Sequence, residues 1–135
     1  MKRINIVGRI HFEYDYYSDT VITNTDVEDL NGHGTMCIET ILRTFKNVDF
    51  YVVKMLNVSG FSNESVFLRA LDYVSTLDVD IVAICSSFIE KSPSSELERI
   101  CNRIKGNGKI IIASVKNGAK TSVPAIYPSV IGVIG

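Results

Sequence analysis

The chain has 135 residues, 46% of them hydrophobic and 21% charged, with a formal net charge of −1. That length suits one domain with a real core, and the composition is that of an ordinary globular protein. The near-neutral charge, with no basic stripe or polybasic block, excludes nucleic acid and anionic membrane as the main partners.

The start, Met1-Lys2-Arg3-Ile4-Asn5-Ile6-Val7-Gly8, is basic but lacks the apolar run of a signal peptide. No 18-residue apolar span occurs, so no membrane crossing is expected. Cys37, Cys85 and Cys101 sit in apolar patterns without metal-ligand spacing. An odd count in a chain without a signal reads as reduced thiols in the cytoplasm.

In chain order, residues 3–8 predict a first strand, apolar at Ile4, Ile6 and Val7. Residues 9–31 read as a long polar loop carrying Glu13, Asp15, Asp19, Asp26, Glu28 and Asp29. His11 is taken as a loop residue in it, and Tyr14, Tyr16 and Tyr17 as side chains packing on a partner or a sheet edge. Loops of this length inside a compact domain are usually functional or mobile. Carboxylates suit calcium, but the spacing matches no calcium loop, so a solvated surface is the reading and no metal is expected.

Residues 33–46 carry a helical pattern, with Met36, Cys37, Thr40, Ile41 and Leu42 on or near one face. Residues 49–56 predict a strand and 59–63 a turn. Asn63 is placed to cap a helix over 64–77, with Val66, Phe67, Ala70, Leu71 and Val74 spaced by three and four. Residues 80–86 form a near-continuous apolar strand, the pattern of a strand covered on both faces. Ser95 and Glu98 form a capping box for a helix over 95–105 that presents Leu97, Ile100, Cys101 and Ile104, with Gly106 as its stop. Strands follow at 109–113 and 130–134.

Alternating strands and helices imply right-handed crossovers, a mostly parallel sheet and an α/β, three-layer, doubly wound fold. Its site is expected at the carboxyl ends of the strands. No Gly-x-Gly-x-x-Gly occurs, so no dinucleotide cofactor is implied.

Five segments, in order, resemble the subtilisin-like serine peptidases. They are Asn31-Gly32-His33-Gly34-Thr35, Val52 to Gly60, Asp78 to Phe88, Gly108 to Gly118, and Pro124-Ala125-Ile126-Tyr127-Pro128-Ser129-Val130-Ile131-Gly132-Val133. The resemblance implies a single subtilisin-like α/β domain over 1–135, truncated before the serine helix. In the family's terms His33 matches the general base and Asn117 the side-chain donor of the oxyanion hole. Ser86, Ser87 and Phe88 match the edge on which a peptide lies as an added strand. The first strand should end in an aspartate; Gly8 stands there, followed by Arg9. A cation beside the histidine would disfavour the imidazolium that catalysis needs. The family's Gly-Thr-Ser-Met motif does not occur in the 135 residues.

Loss of triad members costs factors of about 10⁴ to 10⁶. The resemblance therefore implies a degenerate subtilisin-like domain, inactive alone as a serine endopeptidase. It would act by binding a peptide or partner protein, or as one part of a composite peptidase. Ser86, Ser87 and Cys85 are the candidates for a replacement nucleophile. Two alternatives stay open: a non-catalytic interaction protein using another surface, and an unrelated α/β domain that binds a small molecule. The apolar runs at 81–84, 110–113 and 130–134 imply cover on both faces; the resemblance would place two of the three helical patterns on one face, and so implies a homodimer or a complex with a second protein over the face lacking the serine helix, next to His33.

Overall fold

A computed structural model of the chain describes residues 5–25, 47–55, 64–84, 88–89, 95–115 and 122–134. The helix expected at 33–46 and the turn at 59–63 lie outside the described residues. The chain divides into two compact units, Met1–Ala70 and Leu71–Gly135.

In the first unit, β1 (Asn5–Asp15) lies between β2 (Thr20–Asn24) and β3 (Asp49–Lys54). β1 pairs antiparallel with β2, from His11 opposite Asn24 to Asp15 opposite Thr20. It pairs parallel with β3, from Asn5 opposite Asp49 to His11 opposite Lys54. The parallel register shifts between Ile6 and Gly8, which leaves Val7 as the extra residue of a bulge.

The first strand is thus longer than expected, and residues 9–24 are a hairpin, not a loop. The physical cause is period-two alternation: Ile10, Phe12 and Tyr14 stand on one face and His11, Glu13 and Asp15 on the other. The many acids and tyrosines hide that alternation from a compositional reading. The turn is built by Asp15, whose carboxylate accepts from the Tyr17 amide at 3.1 Å and from the Ser18 hydroxyl at 2.8 Å. Asp19 takes the positive φ, 55°, that closes it. Tyr14 and Tyr16 meet edge to face with ring centroids 4.9 Å apart, while Tyr17 is fully exposed.

Helix α1 (Glu64–Val74) runs across the boundary between the units. Its buried stripe is the expected one: Val66, Phe67, Ala70, Leu71 and Val74. Hydroxyls close its C-terminus, Ser75 donating to the Asp72 carbonyl at 2.6 Å and Thr76 to that of Tyr73 at 2.6 Å.

In the second unit, β6 (Ile110–Ser114) lies between β4 (Ile81–Ile84) and β8 (Val130–Val133), all parallel. β5 (Phe88–Ile89) and β7 (Ser122–Val123) form a separate antiparallel pair. Helix α2 (Ser95–Gly106) packs against β6 and buries Leu97, Ile100, Cys101 and Ile104. Asn107 donates to the Ser75 carbonyl at 3.3 Å, and Arg103 pairs with Asp72 at 2.7 Å, which joins the C-terminal ends of the two helices. The ion pair is half exposed and contributes less than about 1 kcal/mol.

Gly106 is the last residue of α2, and the stop itself falls two residues later. Gly108 has φ +86° and its amide bonds the Lys105 carbonyl at 3.0 Å, while the Lys109 amide reaches that of Ile104 at 3.4 Å. This is a Schellman closure with glycine in the left-handed position.

The apolar strands β4, β6 and β8 do not bury every residue. Val82, Ile84, Ile111, Ala113 and Val130 are buried, whereas Ile81, Ala83, Ile110 and Ile131 are exposed. Among the described residues no helix is long and apolar enough to cross a membrane.

Two substitutions check this account by urea denaturation. Gly108→Ala is expected to lower stability by about 1–2 kcal/mol, because a Cβ is strained at positive φ. Ile111→Ala, at a fully buried position, is expected to lower it by about 2–5 kcal/mol.

Candidate functional site

Two connections of the second unit share both their neighbours. β4 and β6 pair in register from Ile81 opposite Ile110 to Ile84 opposite Ala113, so their carboxyl ends are side by side. The chain leaving β4 next forms β5, and the chain leaving β6 next forms β7. β5 and β7 then pair, Phe88 opposite Val123 and Ile89 opposite Ser122. Ser86 and Ser87 belong to the first connection and Asn117 to the second. The two connections thus leave adjacent strand ends and rejoin in one ladder, at the carboxyl end where an α/β site is expected.

Phe88 is in β5, and among the described residues β5 has one strand neighbour, β7. His33, Ser86, Ser87 and Asn117 lie outside the described residues, as do Cys37 and Cys85. Following β7, a cis peptide bond joins Val123 to Pro124, and Val123, Pro124, Ala125 and Tyr127 are buried. Gly132 of β8 faces this turn: a Cβ there would stand 2.9 Å from the Ala125 carbonyl oxygen. That close approach explains a glycine inside a strand.

Gly8, which stands where the family places its aspartate, is directly opposite Tyr51 across the β1–β3 ladder. A Cβ at this position would lie 2.6 Å from Cδ2 and 2.8 Å from Cζ of the Tyr51 ring. The ring occupies the space that any side chain at residue 8 would need. Arg9, the next residue, is exposed.

The structure also shows a polar cluster that composition did not reveal. His11 is not a loop residue; it lies in β1 and is buried. Its Nδ1 is 3.2 Å from Asn24 Oδ1 and 3.4 Å from Glu13 Oε2, and Asn24 Nδ2 donates to Glu13 Oε2 at 2.8 Å. Both neighbours of Nδ1 are acceptors, which assigns the proton to that nitrogen. His11 and Glu13 share a strand face and Asn24 is the cross-strand partner, so the cluster pins the hairpin register. The strand alternation of residues 10–15 is the signal that would have revealed it. Among the described residues no group of three or more His, Cys, Asp and Glu side chains could hold a metal ion.

Cys101 is fully buried in α2, and its pKa is pushed up to about 11, first by burial and then by the charge of Glu98. A thiol so raised is neutral at physiological pH and a poor nucleophile.

Three outcomes test these placements. Gly8→Ala is expected to cost about 1–3 kcal/mol by overpacking, and Tyr51→Ala in the same chain to relieve part of that cost, as read by a double-mutant cycle of urea midpoints. Native Cys101 is expected to resist a thiol reagent at pH 8 and to react once urea unfolds the chain. Because the folded pKa lies above the unfolded one, the Cys101 contribution to stability is present below pH 9 and lost as pH rises toward about 11; pH-dependent unfolding midpoints read that loss.

No protein-family model matches the chain. It is 28% identical over 120 residues to Subtilisin DY of Bacillus licheniformis, a match covering 78% of this chain and 43% of that protein. Its fold is similar to the crystal structure of a cold adapted subtilisin-like serine proteinase, with a TM-score of 0.71 and 23% identity over 90% of this chain and 46% of that one. The chain spans less than half the length of either protein. In sequence the chain is thus similar to a curated subtilisin, and in fold to a subtilisin-like proteinase.

Proposed function

We propose that this chain is a degenerate subtilisin-like domain that does not hydrolyse peptide bonds by itself and works together with a second polypeptide, either by binding it or by completing a peptidase site with it. The observation that carries the reading is the contact of Gly8 with Tyr51. In a serine triad a buried carboxylate holds the histidine in the correct tautomer and stabilises the imidazolium, and its loss costs about 10⁴ in turnover. At the position matched to that carboxylate the chain has glycine, with an aromatic ring in the side-chain space and an arginine next in sequence.

Holding a peptide needs less. An added strand pairs through backbone donors and acceptors, and survives loss of the catalytic groups. β5, two residues long with β7 as its one described strand neighbour, supports an edge of this kind at Phe88, preceded in sequence by Ser86 and Ser87. In this reading His33 and Asn117 are inherited from a peptidase and need groups from elsewhere to act.

The purified chain is expected to give no turnover of a chromogenic peptide anilide above buffer background and no labelling by a serine-directed fluorophosphonate. Turnover that His33→Ala abolishes would overturn the reading, and Ser86, Ser87 and Cys85 would then be tested as nucleophiles.

A further inference from the structure

Asparagine is followed directly by glycine at residues 31–32, 107–108 and 117–118, and the second pair lies among the described residues. Such a pair carries its own electrophile and nucleophile: the side-chain carboxamide carbon and the next backbone nitrogen, which no Cβ shields. At Asn107-Gly108 both groups are held. Asn107 Nδ2 donates to the Ser75 carbonyl at 3.3 Å; because that partner is a carbonyl, it is the amide end of the side chain that faces it. The Gly108 N–H donates to the Lys105 carbonyl at 3.0 Å.

Both residues are exposed, and a Cβ on Gly108 would meet nothing within 4 Å. Water reaches the pair, so hydrogen bonding rather than burial restrains it. The pair also sits at a junction. Asn107-Gly108-Lys109 is the whole connection between α2 and β6. On one side of it Ile104 is fully buried, and on the other the Ile110 amide donates to the Asp80 carbonyl at 3.0 Å.

We propose that Asn107 is a self-modifying residue. The closed end of α2 holds it as asparagine, and opening of that end commits it to a one-way conversion after which the end no longer closes. Opening frees the Gly108 N–H from Lys105. Water or hydroxide takes the proton, and the nitrogen attacks Asn107 Cγ. The bond from Cγ to the side-chain nitrogen breaks, ammonia leaves, and a succinimide ring remains. Water then opens the ring at one carbonyl or the other, leaving aspartate or isoaspartate at residue 107. The sum is one water consumed and one ammonia released, and loss of the ammonia makes the change irreversible.

Neither product restores the closure. Aspartate sets a carboxylate oxygen against the Ser75 carbonyl, acceptor against acceptor, at the negative end of a helix. Isoaspartate adds a backbone carbon between residue 107 and Gly108, which moves the Gly108 and Lys109 amides out of register with the Lys105 and Ile104 carbonyls. The inference is independent of any peptidase reading, since it uses only the junction of α2 with β6.

The test incubates the full chain in mildly alkaline buffer, folded or unfolded in urea, and follows residue 107 by peptide mapping and mass spectrometry. Conversion in the folded chain is expected to be about tenfold or more slower than in urea, because it waits on local opening. The urea-aged chain, returned to native buffer, is expected to unfold at a lower urea midpoint than the fresh chain. Asn107→Ser, aged in the same way, is expected to keep its own fresh midpoint, which separates residue 107 from the other two Asn-Gly pairs. Equal rates in the folded and unfolded chain would overturn the proposal, as would no conversion at 107 in urea. So would an unchanged midpoint after conversion, or an equal loss in aged Asn107→Ser.

Discussion

The second unit depends on the position of β6, held on both sides by parallel partners. Parallel pairing in register makes Ile81, Ile110 and their neighbours alternate in phase across three strands. One phase lies on the side of α2 and supplies much of the unit's core; the other carries the exposed residues Ile81, Ile110 and Ile131. The same pairing ends β4 and β6 side by side, so that the connections carrying Ser86, Ser87 and Asn117 start from adjacent points and rejoin at β5 and β7. A slip of one residue would exchange the two faces and break both arrangements, because side chains alternate with a period of two.

The first unit is organised by a different constraint, the close approach of β1 and β3 at Gly8. The bulge at Val7 shifts the parallel register, and Tyr51 then lies over a residue without a side chain. Bulges re-aim the residues beside them, and this one adjoins the position that the subtilisin-like resemblance assigns to the orienting aspartate. Beyond the bulge β1 runs on as the centre of a hairpin, with Glu13 and Asn24 around the imidazole of His11. Register, the close approach of the Tyr51 ring and the hydrogen bonds around His11 together specify this region.

Helices were the most legible part of the chain. The three-and-four spacing of Val66, Phe67, Ala70, Leu71 and Val74, and that of Leu97, Ile100, Cys101 and Ile104, marks the buried stripes of α1 and α2, because a helix repeats its faces within a few residues. The hairpin of β1 and β2 was less legible. Its alternation is carried by Phe12 and Tyr14 among acids and a histidine, and strand preference depends on what the partner strand offers. The stop of α2 was misplaced by two residues because both Gly106 and Gly108 are plausible, and backbone φ decides between them.

By itself the sequence determined the alternating α/β order, the buried helix faces and the ordered segments that resemble the subtilisin-like peptidases. Those features are local or linear, and hydrophobic periodicity records them residue by residue. Only the tertiary structure decided which phase of the apolar strands is covered, since the runs at 81–84 and 110–113 are aliphatic at every position and read the same in either phase. It also decided that residue 8 has no room for a side chain and that His11 is buried in a polar cluster. Those facts depend on partners 43 and 13 positions away, Tyr51 for Gly8 and Asn24 for His11, and cross-strand neighbours are set by register, which no local pattern records.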